Sequence, residues 1–244
     1  MKIETILLPD LVQALQEGYR TTRATLRISV GYTLLFVVAG TLICGGLAVN
    51  GLSPFIIAAA GAFMLSGPII LAGFFGITQA YENQQIASFV AIKAGFFRAD
   101  PTLWILVLIC GLLFMIFVTD AAILYAYIVG RTPVWPTHLL EPDSATMRFY
   151  QATLISGGVI ALMLFCVSAF SVPLLCEKRT NLVNAVVISV KTVFSNFALT
   201  LSWAILVSSI IIASVLLLPL LTITLPWLAH ASWALYRKAL PKET

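Results

Sequence analysis

Residues 82–98 read ENQQIASFVAIKAGFFR. The stretch is short and amphipathic, it lies between two long apolar runs, and it recurs. Ile86–Phe96 aligns with Asn184–Phe194, placing Ala87 over Ala185, Lys93 over Lys191 and Phe96 over Phe194. A tryptophan opens a new apolar run soon after each copy, Trp104-Ile105-Leu106-Val107 and Trp203-Ala204-Ile205-Leu206-Val207. The pattern predicts repeated units, each an interfacial helix followed by membrane spans.

Composition agrees. The chain has 244 residues, 60% hydrophobic and 10% charged, with a mean hydropathy of +1.02. A soluble domain carries about 25% charged residues, so the bilayer must serve as solvent here. The net charge of +4 sits at the edges of apolar runs, which points to a membrane surface and away from nucleic acid. Cys44, Cys110, Cys166 and Cys176 lie in or at the ends of apolar runs without a C-x-x-C, so no disulfide framework is expected. MKIETILLPD lacks the apolar core of a signal peptide.

The expected fold is all-α and polytopic, one membrane domain of six spans and three cytoplasmic interfacial helices in units 8–80, 82–176 and 180–238. The first interfacial helix covers 8–24, with Leu8, Leu11, Val12, Leu15 and Tyr19 on one face. Arg20, Arg23 and Arg27 follow as a basic stripe. It is either a positive-inside anchor or a dock for anionic lipid or a partner.

Ile28 to Tyr81 is free of charge, more than twice the ~20 residues of one crossing. It reads as a hairpin of helices 28–49 and 54–80 turning at Asn50–Pro54, with Pro68 expected to kink the second. Helix 3 runs from about Pro101 to Gly130 and contains Asp120. Residues 131–151 form the long polar connection to helix 4 at 152–176, with Pro173 near its end. After the interfacial helix at 180–195, the uncharged stretch from Lys191 to Arg237 is long for one span and tight for two. Charge decides for two, near 197–215 and 217–237, the latter carrying Pro226. Twelve of the 14 basic residues then fall on the cytoplasmic side, with only Arg131 and Arg148 opposite. Both termini are expected to be cytoplasmic.

Four segments carry a resemblance: Glu17-Gly18-Tyr19-Arg20, Leu65-Ser66-Gly67-Pro68, Ser171-Val172-Pro173-Leu174-Leu175, and Leu228-Ala229-His230-Ala231-Ser232-Trp233-Ala234-Leu235-Tyr236-Arg237. Together they resemble a prokaryotic family of uncharacterised six-span integral membrane proteins, some labelled cytochrome c oxidase subunits. The closing His-Ala-Ser-Trp-x-x-Tyr-Arg is its best motif. Members often have a second histidine where this chain has Ala234, and a glycine where it has Ala229. The resemblance implies a bacterial inner membrane and names no activity.

A haem-copper core needs several intramembrane histidines. This chain has two histidines, and His138 falls in the polar connection, so it is not a catalytic oxidase subunit. No cofactor is expected: the soft donors Cys44, Cys110, Met115, Met163 and Cys166 do not recur at copper-ligand spacing, and a lone His230 is a poor haem site. His230 reads more simply as bonded to a neighbouring backbone group or to Ser232. Asp120, the one acid within a span, could carry a proton, bind a cation or pair with a partner's arginine. It could equally snorkel or bond a neighbour. It lies about 27 Å from the cytoplasmic end and His230 about 10 Å, so the two are not expected to meet. Trp104, Trp203, Trp233 and Trp135 read as an aromatic belt. Gly40, Gly45, Gly61, Gly67, Gly73, Gly157 and Gly158 allow close helix packing.

No triad, phosphate loop, metal-protease motif or carboxylate pair appears, and no enzyme activity is expected. The leading expectation is an accessory, scaffold or assembly subunit of a membrane complex, in contact with lipid and with other membrane subunits. The alternative is a small transporter or channel using Asp120.

Overall fold

Polar punctuation sets the helix limits. The computed structural model describes residues 2–53, 55–56, 59, 67–97, 100–130 and 144–242. The regular elements among them are helices. Helix α1 spans Leu8–Ala24; Pro9 lies in its first turn, and Asp10 Oδ2 accepts the Leu7 amide at 2.8 Å. It passes into α2, Leu26–Val49, at Thr25. The chain turns at Gly51 (φ 69°) and returns through α3, Gly67–Glu82. Helix α4, Phe89–Phe97, follows; then α5, Leu103–Ile128, runs out and α6, Ser144–Ser168, comes back. A six-residue helix α7, Ser171–Cys176, continues α6 after a break. Helix α8, Leu182–Ser195, leads into α9, Phe197–Leu216; a 3-10 turn at Leu218–Leu220 then reverses the chain into α10, Leu221–Ala239.

Among the described residues, four stretches are long and apolar enough to cross a membrane: Leu26–Val49, Leu103–Ile128, Ser144–Cys176 and Phe197–Ser214. Helix α3 has 16 residues in its described part. Helix α10 has 19, with Pro226 and His230 inside and Arg237 and Lys238 in the last turn. Both run back alongside the long helices, and α10 is deeply enclosed: 13 of its 19 residues are buried. The four long helices do the opposite. Leu42, Leu108, Leu154 and Ile205 are among many large apolar side chains they expose, the arrangement expected when the surroundings are lipid.

The short helices pack in a cyclic order. Helix α4 lies on α3, α8 on α6 and α7, and α1 on α10. Each therefore rests on the returning arm of a hairpin, and the α1–α10 contact closes the circle. Both chain ends join there. Glu4 donates its amide to Ala239 O at 3.0 Å, and Ile6 donates to Asn196 Oδ1 at 2.8 Å.

Several expectations need correction. The face α1 turns to α10 is Leu11, Ala14, Gly18 and Thr22, whereas Leu8, Val12 and Tyr19 point outward. Gly18 lets α1 approach the Ala231 backbone, so packing on a helix, rather than the breadth of the apolar stripe, selects the buried face. Helix α4 starts only at Phe89, after the reversal at Asn83–Gln84, where Gln84 has φ 55°. Helix 4 of the sequence reading begins earlier, at Ser144, and breaks at Ala169–Phe170. Pro173 has no amide to donate to Ala169 O. One turn earlier Ser189 of α8 enters the ladder: its hydroxyl donates to Cys166 O at 2.8 Å and accepts the Phe170 amide at 3.2 Å. Pro226 lies buried inside α10. Pro68 is in the first described turn of α3, and the residues before it that would show a kink lie outside the described ones. Trp104 is half exposed, but Trp203 and Trp233 are buried, so they are core residues rather than a belt; Trp135 and His138 lie outside the described residues. Of the glycines expected to pack closely, Gly73 lies against Tyr32 and Gly157 against Phe117, whereas Gly45, Gly67 and Gly158 face open space; Gly18 on Ala231 and Gly76 against Gly95 are further close approaches, and Gly61 lies outside the described residues.

Candidate functional site

The ends of three returning helices meet at one point. Each brings the charge that follows its apolar run: Glu82 from α3, Glu177 just after α7, Arg237 from α10. Arg237 Nη2 lies 2.7 Å from Glu82 Oε2 and 2.9 Å from Glu177 Oε1. Trp233, one turn earlier on α10, donates Nε1–H to Glu82 Oε1 at 2.7 Å and stacks under the Arg237 guanidinium at 5.0 Å. Tyr236 donates its hydroxyl to Glu177 Oε2 at 2.5 Å. Arg179 donates to that hydroxyl at 3.0 Å and to the carbonyls of Leu240 and Pro241 at 2.6 and 2.7 Å, capping α10. The Glu177 side chain is only 7% exposed, and Lys242 Nζ reaches it at 3.4 Å. A buried carboxylate is tolerable only with such a set of partners. An open cleft of about 460 Å³ lies over this knot, with Gln79, Asn83 and Lys178 on its walls.

Two turns deeper, His230 is 2% exposed. Its Nδ1 is 2.7 Å from Thr78 Oγ1 and its Nε2 is 3.2 Å from Ser29 Oγ. Thr78 also donates to Phe74 O at 3.0 Å and Ser29 Oγ pairs with Thr25 Oγ1 at 2.9 Å, so both ring nitrogens are engaged in a chain of hydroxyls. The partners come from α2 and α3, not from Ser232, whose hydroxyl serves Leu228 O at 2.8 Å. Both nitrogens are thus occupied, which leaves none free for a haem or metal. His230, Trp233 and Tyr236–Arg237 recur at helical spacing on α10 and tie it to α2, to α3 and to the end of α7.

Asp120 sits elsewhere, on α5 beside α6. Its Oδ2 is buried with no hydrogen-bond partner among the described residues. It does not meet His230, as their separate depths implied. Arg20, Arg23 and Arg27 are exposed on α1 and the start of α2, and they do not join the charged knot. Among the described residues no group of three metal-binding side chains forms. Glu82, Glu177 and Arg179 were not singled out from the sequence as site residues; Tyr236 entered only as part of the closing motif. The signal was there: each acid is the first charge after a long uncharged run, and the basic partner closes the third.

Residues 55–177, half of the chain, match the family described as "Predicted integral membrane protein (DUF2189)". The chain belongs to this DUF2189 family. Comparison with curated proteins and with solved structures gives no match. The DUF2189 match begins beyond the turn after α2 and ends at Glu177, so it contains Glu82, Asp120 and Glu177 but not α10. In this DUF2189 protein the family segment therefore supplies the two acids, and the basic partner comes from beyond it.

Proposed function

We propose that the protein is a non-enzymatic accessory, scaffold or assembly subunit of a bacterial inner-membrane complex, with both termini cytoplasmic and six spans. One observation carries the reading. The centre of the bundle, where a conduit would run, is filled: α10 occupies it, and Phe74, Phe75, Trp233 and Tyr236 are at most 1% exposed around it. The charges at the end of α10 pair with one another within the chain. The cyclic packing of short helices on hairpins supports three repeated units, and the resemblance suggests a respiratory oxidase as the partner class. Mild-detergent purification from native membranes, followed by mass spectrometry, tests this. Stoichiometric co-purification of other membrane subunits is the expected result. A lone, monodisperse protein would overturn it.

The second reading, a small carrier or channel, draws on one observation, the unpartnered Asp120 Oδ2. Substrate uptake that disappears in Asp120→Asn while the protein still folds would favour it over the scaffold.

A further inference from the structure

Three outward faces share one pattern. On α4, Phe89, Lys93 and Phe97 stand on successive turns, and all are exposed. On α8, Val183, Val187 and Lys191 repeat that spacing, with Phe194 on the same side and all exposed. On α1, Leu8, Val12, Tyr19 and Arg23 fall within about 60° of arc at about 100° per residue, again exposed. Each short helix thus buries one face on a returning arm and turns out an apolar stripe that carries a basic residue. The three stripes lie at the end of the bundle that holds the charged knot. Helix α4 begins soon after Glu82 and α8 soon after Glu177. Helix α1 is tied to the end of α10, where the Glu4 amide donates to Ala239 O.

These cations differ from those of the knot. Arg237, Lys242 and Arg179 lie 2.9, 3.4 and 3.9 Å from Glu177, and Lys2 pairs with Glu4 at 2.9 Å. Among the described residues, Arg23, Lys93 and Lys191 form no ion pair. Their own stripes hold no acid. Helices α4 and α8 contain none, and Asp10 and Glu17 of α1 lie about half a turn away from its stripe. A cation set among exposed apolar side chains lays its alkyl stem along them and takes its counter-charge from outside the chain. An anionic phospholipid supplies both, acyl chain against the stripe and phosphate against the cation. A choline headgroup carries its own cation beside the phosphate and fits less well.

We propose that α1, α4 and α8 form a collar that binds anionic phospholipid in the leaflet on the knot's side, with Arg23, Lys93 and Lys191 each holding a headgroup. The repeat supports this, because Lys93 aligns with Lys191. The collar goes beyond the scaffold reading and does not rest on it.

Trp104 provides a reporter: it is half exposed, and its ring stacks on Phe96 of α4 at 6.2 Å. The full chain is reconstituted in phosphatidylcholine vesicles doped with brominated phosphatidylglycerol or with brominated phosphatidylcholine, and tryptophan quenching is recorded. The brominated anionic lipid should reach half-quenching at about a fivefold lower mole fraction. That preference should vanish in Lys93→Gln and survive in Lys93→Arg and in the paired control Lys2→Gln. In wild type it should collapse in 1 M NaCl, where screening acts within about 3 Å; this arm needs no variant to fold. Native mass spectrometry should show retained phosphatidylglycerol that the triple variant Arg23→Gln, Lys93→Gln, Lys191→Gln loses. Equal quenching by the two lipids in wild type overturns the proposal, as does a preference that persists in Lys93→Gln or in 1 M NaCl. Loss of co-purifying subunits from the triple variant without any lipid preference in wild type would make the stripes protein docks and overturns it too. A lone protein that keeps its lipid preference overturns only the scaffold reading.

Discussion

Gly18 has no room for a side chain. A Cβ there would stand 2.6 Å from the Ala231 backbone nitrogen and 2.7 Å from its Cα, and backbone cannot swing aside. Gly18→Val should cost about 2–3 kcal/mol, read as a lower midpoint in detergent unfolding; Gly45→Ala, with nothing within 4 Å, should cost nothing and serves as the control. Asp100 offers a pH test. Its carboxyl is held below the ordinary range, first by the Thr102 hydroxyl and then by the Thr102 amide, which approach Oδ1 at 2.6 and 2.8 Å. A carboxylate lowered in the folded state adds stability above its unfolded value of about 4 and loses it as pH falls through the folded one. The stability gap between wild type and Asp100→Asn should therefore shrink from pH 6 to pH 3; an unchanged gap refutes the assignment. The solitude of His230 is legible in the sequence, but its partners are not. Thr78 and Ser29 stand 152 and 201 residues away in the chain, and no local pattern links them. The purified protein should show no Soret band, and His230→Leu should cost about 1 kcal/mol, since Thr78 keeps its bond to Phe74 O.

At the scale of elements, hydrophobic runs and breakers gave the helices well: the expected 8–24 is Leu8–Ala24, and 197–215 is Phe197–Leu216. The misses have local causes. The α6–α7 break depends on Ser189, contributed by another helix, and α4 is shortened by the turn at Gln84. The charged knot was hidden for a related reason. Glu82, Glu177 and Arg237 each look like an ordinary flanking charge, and only the convergence of three returning arms makes them partners. Their exposures separate the effects. Glu177, 7% exposed, should cost about 3 kcal/mol when changed to Gln, because Arg237, Arg179 and Lys242 lose a shared anion. Glu82, 37% exposed, should cost about 1 kcal/mol or less. Chemical unfolding of the two variants side by side checks the order, and equal losses would show that burial does not set it.

For the whole molecule, the class was legible from composition alone, since a surface rich in Leu42, Leu108 and Leu154 needs lipid around it. The inside-out distribution of exposure follows from that. Sidedness is open to measurement: if both termini are cytoplasmic as proposed, cysteines placed at residue 2 and at residue 242 should both react with an impermeant maleimide only once the membrane is permeabilised. Reaction of one without the other would break the six-span count. The α1–α10 contact carries a further consequence for biogenesis. Trp227 Nε1–H donates to Leu15 O at 2.8 Å across 212 residues of chain, so while the intervening hairpins are being threaded into the bilayer the nascent α1 has no mate. It must wait at the translocon mouth as a sticky amphipath, and a ribosome stalled before α10 would release an open clasp, a natural substrate for membrane quality-control proteases.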